Sequence, residues 1–310
     1  MITMAAPDRV LFNHIALIGM GLIGSSLARV IRERGLANRI TAIDVAQDVC
    51  KRVEALKIAD HVTADIAAGV READLVILCV PVGANEAVAK AMAASLKAGA
   101  IISDAGSVKA AVVKAVQPHL PPHVHFVPAH PVAGTEYSGP DAGFSTLFVE
   151  RWCILTPPDN TAPAAIDALR AFWEAVGSKV EVMTPEHHDL VLAVTSHVPH
   201  LIAYNIVGTA DDLETVTQGE VIKFSAGGFR DFTRIAASDP TMWRDVFLHN
   251  KEAVLEILGR FQEDLFALQR AIRWEDGDKL FDLFTRTRDI RRSIIEMGQV
   301  ETATPPKEPV

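Results

Sequence analysis

The residues best able to do chemistry stand in separate clusters. Gly19, Gly21 and Gly24 form a GxGxxG directly after the apolar run 15–18. Gly19 permits a tight turn, Gly21 lets a pyrophosphate approach the backbone, and Gly24 lets a helix pack closely on the strand. Leu22 and Ile23 open that helix, whose N-terminal N–H groups and dipole favour phosphate. Alone the pattern is weak. With a strand before it, a helix after it and Asp44 twenty residues beyond Gly24, it reads as a dinucleotide fingerprint. A carboxylate at Asp44 would accept hydrogen bonds from the adenosine ribose and repel a 2′-phosphate. No Lys or Arg follows in 45–47, so NAD is expected rather than NADP. Pro81 would stop a strand where the cofactor crosses the sheet edge. The competing reading is a glycine-rich turn with Asp44 capping the next helix.

Four further clusters leave alternatives open. In 104–109, either Asp104 or Ser107 caps a helix, and the Ser107 hydroxyl could also reach into the ligand crevice at a strand's carboxyl end. His130 is either a base able to take a proton near neutrality, with Glu136 six residues on, or a loop histidine fixed by Pro131. His187, His188, His197 and His200 fall within fourteen residues and invite a metal, but no third ligand of the HExxH kind accompanies them. Hydrogen bonding to a polar ligand is the better reading, with Pro199 bending the chain so that His200 points inward. Arg230 and Arg234 lie one helical turn apart after Gly227 and Gly228, which suits an anion site, with one of the pair merely solvated or ion-paired. Cys79 reads as an inert core residue.

The elements that must position these groups follow from periodicity. Over the first half, short β-branched runs at 14–18, 39–43, 74–80, 100–103, 124–127, 152–155 and 179–182 alternate with helix-period segments at 22–34, 48–56, 84–96, 108–116 and 162–176. Gly35, Gly99 and Gly177 fall where helix caps are expected. This pattern predicts an α/β, Rossmann-like domain over 1–184 with a parallel-rich sheet. From 185 the strand signals stop, and helices are expected over 185–208, 213–224, 228–237, 241–273 and 276–297, forming an all-α domain over 185–310 with a disordered tail from about 302.

The chain of 310 residues suits two domains, and 30 Lys+Arg against 39 Asp+Glu give a net charge of −9. That balance argues against a nucleic-acid partner or an anionic membrane surface. Three cysteines, Cys50, Cys79 and Cys153, without a CxxC, indicate neither a disulfide framework nor a zinc ribbon, and no metal is expected. With no signal peptide and no apolar run near the roughly 18 residues of a membrane span, the expected location is the cytoplasm. The helical half has more apolar stripes than one small bundle hides, so a homodimer is expected.

Taken together the motifs resemble the prephenate/arogenate (cyclohexadienyl) dehydrogenase family: GMGLIGSSLA at 19–28, DAGSVK at 104–109, HPVAGTE at 130–136, HHD and SHVPH within 187–200, and GGFRDFTRIAASDPTMWRD at 227–245. The resemblance runs from about 14 to 263. It implies an NAD-dependent oxidative decarboxylation of a cyclohexadienyl acid in tyrosine biosynthesis. It also implies roles: His130 as partner for the carbinol proton, Ser107 near carbinol and nicotinamide, and Arg234 on the ring carboxylate. His200 and Trp243 would line the side-chain end, Glu136 would gate the pocket, and Asp231 would belong to the partner's pocket in a homodimer formed through the helical domain. Another two-domain NAD(P)-dependent hydroxyacid dehydrogenase, with Lys223 or Lys251 as its catalytic lysine, and a non-catalytic NADH sensor are the alternatives.

Overall fold

The computed structural model describes residues 10–217, 223 and 225–296. The expected tail from about 302, and much of the helix expected over 213–224, lie outside the described residues. The first half builds a six-stranded parallel sheet in the order β3-β2-β1-β4-β5-β6, from β1 (Phe12–Ile18), β2 (Ala37–Ile43), β3 (His61–Thr63), β4 (Leu75–Leu78), β5 (Ile101–Asp104) and β6 (His125–Phe126). The strand order reverses between β1 and β4, which opens a ligand crevice at their carboxyl ends.

Helices cover both faces, so the central strands are apolar on both sides rather than alternating with polar residues. Ile15 and Leu17 of β1 enter one core with Leu27 and Ile31 of α1 (Leu22–Arg34), while Ala16 and Ile18 enter the other. After α2 (Gln47–Leu56), that second core takes in Val70 of α3 (Ile66–Val70), Met92 of α4 (Asn85–Met92) and Val112 of α5 (Ala110–Val116).

The run expected as one strand over 124–127 ends early, and Pro128 separates it from β7 (Ala129–Pro131). β7 pairs antiparallel with β8 (Trp152–Leu155), which pairs parallel with β9 (Lys179–Val182), giving a second, three-stranded sheet. Its covering helix, α6 (Pro163–Val176), sends Leu169, Phe172 and Trp173 into the first core. His130 therefore sits in a strand, not in a surface loop. Gly35 and Gly177 end α1 and α6 in the left-handed conformation, as expected, whereas Gly99 has φ +78° in a turn beyond the cap residue Leu96.

The second half is helical. α7 (Pro185–Leu192) runs through a π-helical turn (Ala193–His197) into α8 (Val198–Thr217). Pro199 has no N–H to give the preceding turn, which accounts for the widened coil beside it. The stretch Pro185–Leu213 is long and apolar enough to cross a membrane, contrary to the expectation from sequence. Its buried side chains include His188, Asp189 and His197. α9 (Gly227–Thr233) and a 3-10 turn (Arg234–Ala237) lead to α10 (Pro240–His249), α11 (Lys251–Arg273) and α12 (Gly277–Glu296). The single helix expected over 241–273 breaks at Asn250, whose side-chain amide turns inward to Asp189 and His197. Trp243 and Val246 of α10 complete the second core of the first domain, so the two halves share apolar packing.

The glycine turn has the geometry that its sequence demands. Gly19 takes φ +92°, and a Cβ on Gly24 would meet the Gly19 carbonyl oxygen at 2.0 Å, whereas a Cβ on Gly21 would meet nothing within 4 Å. Gly24→Ala is therefore expected to cost about 1–3 kcal/mol through overpacking. Gly21→Ala is expected to keep the stability of the wild type and to weaken dinucleotide binding about tenfold or more, about 1.4 kcal/mol. Thermal unfolding and NADH fluorescence titration measure both, and wild-type NADH affinity in Gly21→Ala would contradict the assignment.

Candidate active site

At the β1–α1 corner the N-cap is Gly21, with no side-chain cap and no acidic residue in the first turn, so the first N–H groups of the helix are left for a ligand. Leu22 and Ile23 form that turn. Asp44 follows β2 and is fixed by accepting the Met20 N–H and the Ala46 N–H, each at 2.9 Å. It does not cap α2, whose N-cap is Ala46. Each carboxylate oxygen retains acceptor capacity. These features, with the open space above Gly21, fit a dinucleotide.

Neighbouring segments frame this corner. Pro81 leads into a 3-10 turn (Val82–Ala84), and the Gly83 N–H donates to Asp245 of α10 at 3.3 Å. The chain beyond Glu136 returns over α1: the Phe144 N–H donates to Ser26 Oγ at 3.1 Å, and Arg52 pairs with Asp141.

Beyond β5 the two domains meet around His130. Its Nδ1 lies 2.8 Å from His188 Nε2, and His188 Nδ1 lies 2.8 Å from Asp189 Oδ1. Asp189 also accepts the Lys109 N–H at 2.7 Å and the Ala110 N–H at 2.9 Å. Thus, contrary to the expectation from sequence, neither Asp104 nor Ser107 caps α5. The cap comes from the other domain, because Asp104 is occupied with the Lys109 ammonium, the Gly106 N–H and the Ala129 N–H. Lys109 Nζ also donates to the Ala129 carbonyl at 2.7 Å, beside His130. Asn250 donates to the Asp189 carbonyl at 2.8 Å and lies 3.0 Å from His197 Nδ1. His197 Nε2 is buried without a hydrogen-bond partner among the described residues.

Burial dominates the electrostatics. It holds His130 well below the usual imidazole range, reinforced by His188, Lys109 and His197. His188 is pushed down to about 2 and His197 to about 4, burial leading in each case. Burial raises the Asp189 carboxyl, partly offset by the two backbone N–H donors. It opposes both charges of the Asp104–Lys109 pair, and each charge offsets that cost for the other. His130 Nε2 has no hydrogen-bond partner among the described residues and is not sealed from solvent, since the residue keeps 7% of its surface open. The result is a neutral imidazole with one nitrogen held and the other free. Burial likewise pushes the Cys79 thiol up, which keeps it protonated.

A second group lies on the helical side. His200 stacks on Trp243 with ring centroids 3.7 Å apart, and its Nδ1 is 2.8 Å from the Ser196 carbonyl. The charge of Arg234 lowers the His200 pKa in addition to burial, and Arg234 lies 3.8 Å from Glu136. The structure thus brings His200, Trp243, Arg234 and Glu136 together, although Trp243 is only 6% exposed and serves as a platform beneath His200. Asp231 stands apart, 81% exposed beside Arg230. Lys251 is exposed at the start of α11, and the buried lysine is Lys109 of the first domain. Asn250 escaped the reading of sequence, and His188, Asp189 and Lys109 entered it only within motifs, without these contacts. The available signal was the i, i+4 pair His188 and Leu192, which puts an imidazole on the apolar face of a helix.

Two family models match the chain: "Prephenate dehydrogenase, nucleotide-binding domain" over residues 27–182 and "Prephenate dehydrogenase, dimerization domain" over 184–286. The glycine turn precedes the first match and stands on its own geometry. A cyclohexadienyl dehydrogenase of Zymomonas mobilis subsp. mobilis is 47% identical over 91% of this chain and 96% of its own length. A crystal structure of prephenate dehydrogenase from A. aeolicus, in complex with hydroxyphenyl propionate and NAD+, superposes with a TM-score of 0.85 at 35% identity, covering 91% of this chain and 98% of that one. Synechocystis arogenate dehydrogenase gives a TM-score of 0.76 at 26% identity, with 91% and 99% covered. With both domains matched, in order and nearly end to end, the chain belongs to the prephenate/arogenate (cyclohexadienyl) dehydrogenase family.

Proposed function

We propose that this protein catalyses the NAD-dependent oxidative decarboxylation of prephenate to 4-hydroxyphenylpyruvate, of arogenate to tyrosine, or of both. The observation that carries the reading is His130, a buried neutral imidazole with a free Nε2, placed where the carboxyl-end crevice of the sheet meets the helical domain. When bound, the oxidised nicotinamide accepts hydride from the ring carbinol carbon. His130 Nε2 takes the carbinol proton as the hydride leaves, and returns it to the oxygen as loss of carbon dioxide makes the ring aromatic. No proton is gained or lost over the whole reaction. Ser107 stands at the carboxyl end of β5, where its hydroxyl would meet the carbinol and the nicotinamide. Because aromatisation drives the loss of carbon dioxide, the remaining task of the protein is orientation.

Arg234 supplies the cation for the ring carboxylate and exchanges Glu136 for it when substrate enters. His200, braced on Trp243, presents Nε2 to the side-chain end of the substrate, the end at which prephenate and arogenate differ. Gly19, Gly21, Gly24 and Asp44 hold the dinucleotide, with Leu22, Ile23 and Pro81 framing it. We infer a homodimer through the helical domain, supported by exposed apolar side chains such as Phe266, Trp274, Phe281 and Phe284, with Asp231 reaching the partner's pocket. Cytoplasmic residence suits the three free cysteines.

The test is the initial rate of nicotinamide reduction with prephenate and with arogenate, each with NAD and with NADP. Turnover with NAD and at least one acid is expected, and no turnover with any pairing would refute the reading. His130→Asn is expected to fold normally and to lose about 10²–10⁴ in kcat. Arg234→Gln is expected to raise KM at least about tenfold with a smaller change in kcat, through loss of a charge-assisted contact. Because the His130 pKa is lowered, its basic form persists as pH falls, so the acid limb of kcat for the wild type should lie below the 6.5 of free imidazole. A limb at or above that value would contradict the neutral-base assignment.

A further inference from the structure

His188 of the helical domain touches the base, and Asp189 holds His188; neither has a role in the reading of function above. We propose that His188 and Asp189 are positioning residues that hold His130 in its Nδ1–H tautomer, leaving Nε2 as the basic nitrogen on the cleft side. The proposal rests on that reading for its functional meaning, but its structural content stands separately.

The assignment follows from donor and acceptor capacity. Asp189 Oδ1 accepts the Lys109 N–H at 2.7 Å, and Oδ2 accepts the Ala110 N–H at 2.9 Å, so the carboxylate is the acceptor at this junction. His188 Nδ1, 2.8 Å from Oδ1, must therefore carry the proton. Neutral imidazole has one N–H, so His188 Nε2 is a lone pair. His130 Nδ1, 2.8 Å from that lone pair, must in turn be the donor, and its Nε2 is left unprotonated. Reversing the chain would set two lone pairs, or a carboxylate and a lone pair, against each other across a buried contact, which leaves polar groups unsatisfied at about 1–3 kcal/mol each.

The arrangement also answers a spatial problem. His130 lies on β7 of the first domain and Asp189 on α7 of the second. His188 spans the gap and turns His130 edge-on, with ring planes 69° apart and centroids at 5.0 Å. Since Asp189 simultaneously caps the N-terminus of α5, the nitrogen that takes the proton is selected only while the two domains are docked. When His130 becomes an imidazolium, its Nδ1–H stays bonded to His188, so positive charge is stabilised without the protein rearranging.

Two variants separate positioning from general structural support. His188→Gln can place an amide oxygen near the position of Nε2 and so still accept from His130, whereas His188→Leu cannot. Imidazole ¹H–¹⁵N correlation spectra report the His130 tautomer directly and require no substrate. The expected result is an Nδ1–H tautomer in the wild type and in His188→Gln, and a shift toward Nε2–H in His188→Leu. In the turnover assay, His188→Leu should lose about 10²-fold in kcat with KM within about threefold, while His188→Gln should stay within about tenfold of the wild type. An Nε2–H tautomer in the wild type, or wild-type kcat in His188→Leu, would overturn the proposal. Absence of wild-type turnover would instead remove the functional reading, and the spectra would still decide the tautomer.

Discussion

The Asp189 carboxylate is the contact on which the rest of the site depends. It caps the N-terminus of α5 in one domain, belongs to α7 of the other, and holds the histidine that touches the base. Helix termini leave N–H groups that must find acceptors, and here the acceptor crosses from the other domain. The carbonyl of the same residue is held by Asn250, where the long C-terminal helical stretch breaks. Domain docking, the start of α5, the break between α10 and α11 and the orientation of His130 are therefore one connected set of hydrogen bonds. Trp243 and Val246 add apolar packing to this junction.

A base that works at neutral pH must be unprotonated before the reaction and able to bear charge during it. Burial supplies the first property, and the nearby Lys109 ammonium strengthens it by opposing a second positive charge. A buried ion pair such as Lys109–Asp104 is weak evidence for stability, since desolvation can outweigh the attraction. Its value here lies in position. Lys109 also donates to the Ala129 carbonyl, next to His130, so the pair fixes the strand that carries the base as well as the field around it.

Much of the architecture was legible in sequence, for identifiable reasons. β1, the glycine turn, α1 and Asp44 could be read because backbone geometry admits few residues there, as the 2.0 Å approach at Gly24 demonstrates. The helical second half could be read because its apolar period is long. Of the second sheet, β8 and β9 stood at expected strand runs, but β7 could not be read, since it has only three residues, too few for alternation to register, and pairs with β8 more than twenty residues away. Asp104 and Ser107 looked like helix caps because local spacing favours local caps. The true cap, Asp189, is eighty residues from Lys109, and such a contact leaves no periodic trace. His188 looked like one member of a histidine cluster until its burial set it apart from the exposed His187. Arg234, Glu136, His200 and Trp243 were named from motifs, and the fold brings them together through the loop after β7, the π-helical turn and α10.

The measurement that tests the central claim most directly is the position of His130 Nε2 in a crystal structure of the ternary complex with NAD and a hydroxyphenyl-propionate analogue. The account predicts that Nε2 lies within hydrogen-bond reach of the ring hydroxyl, about 2.6–3.2 Å, with His130 Nδ1 still on His188 and Asp189 still on α5. A ring hydroxyl bound elsewhere, with His130 turned away from it, would contradict the account.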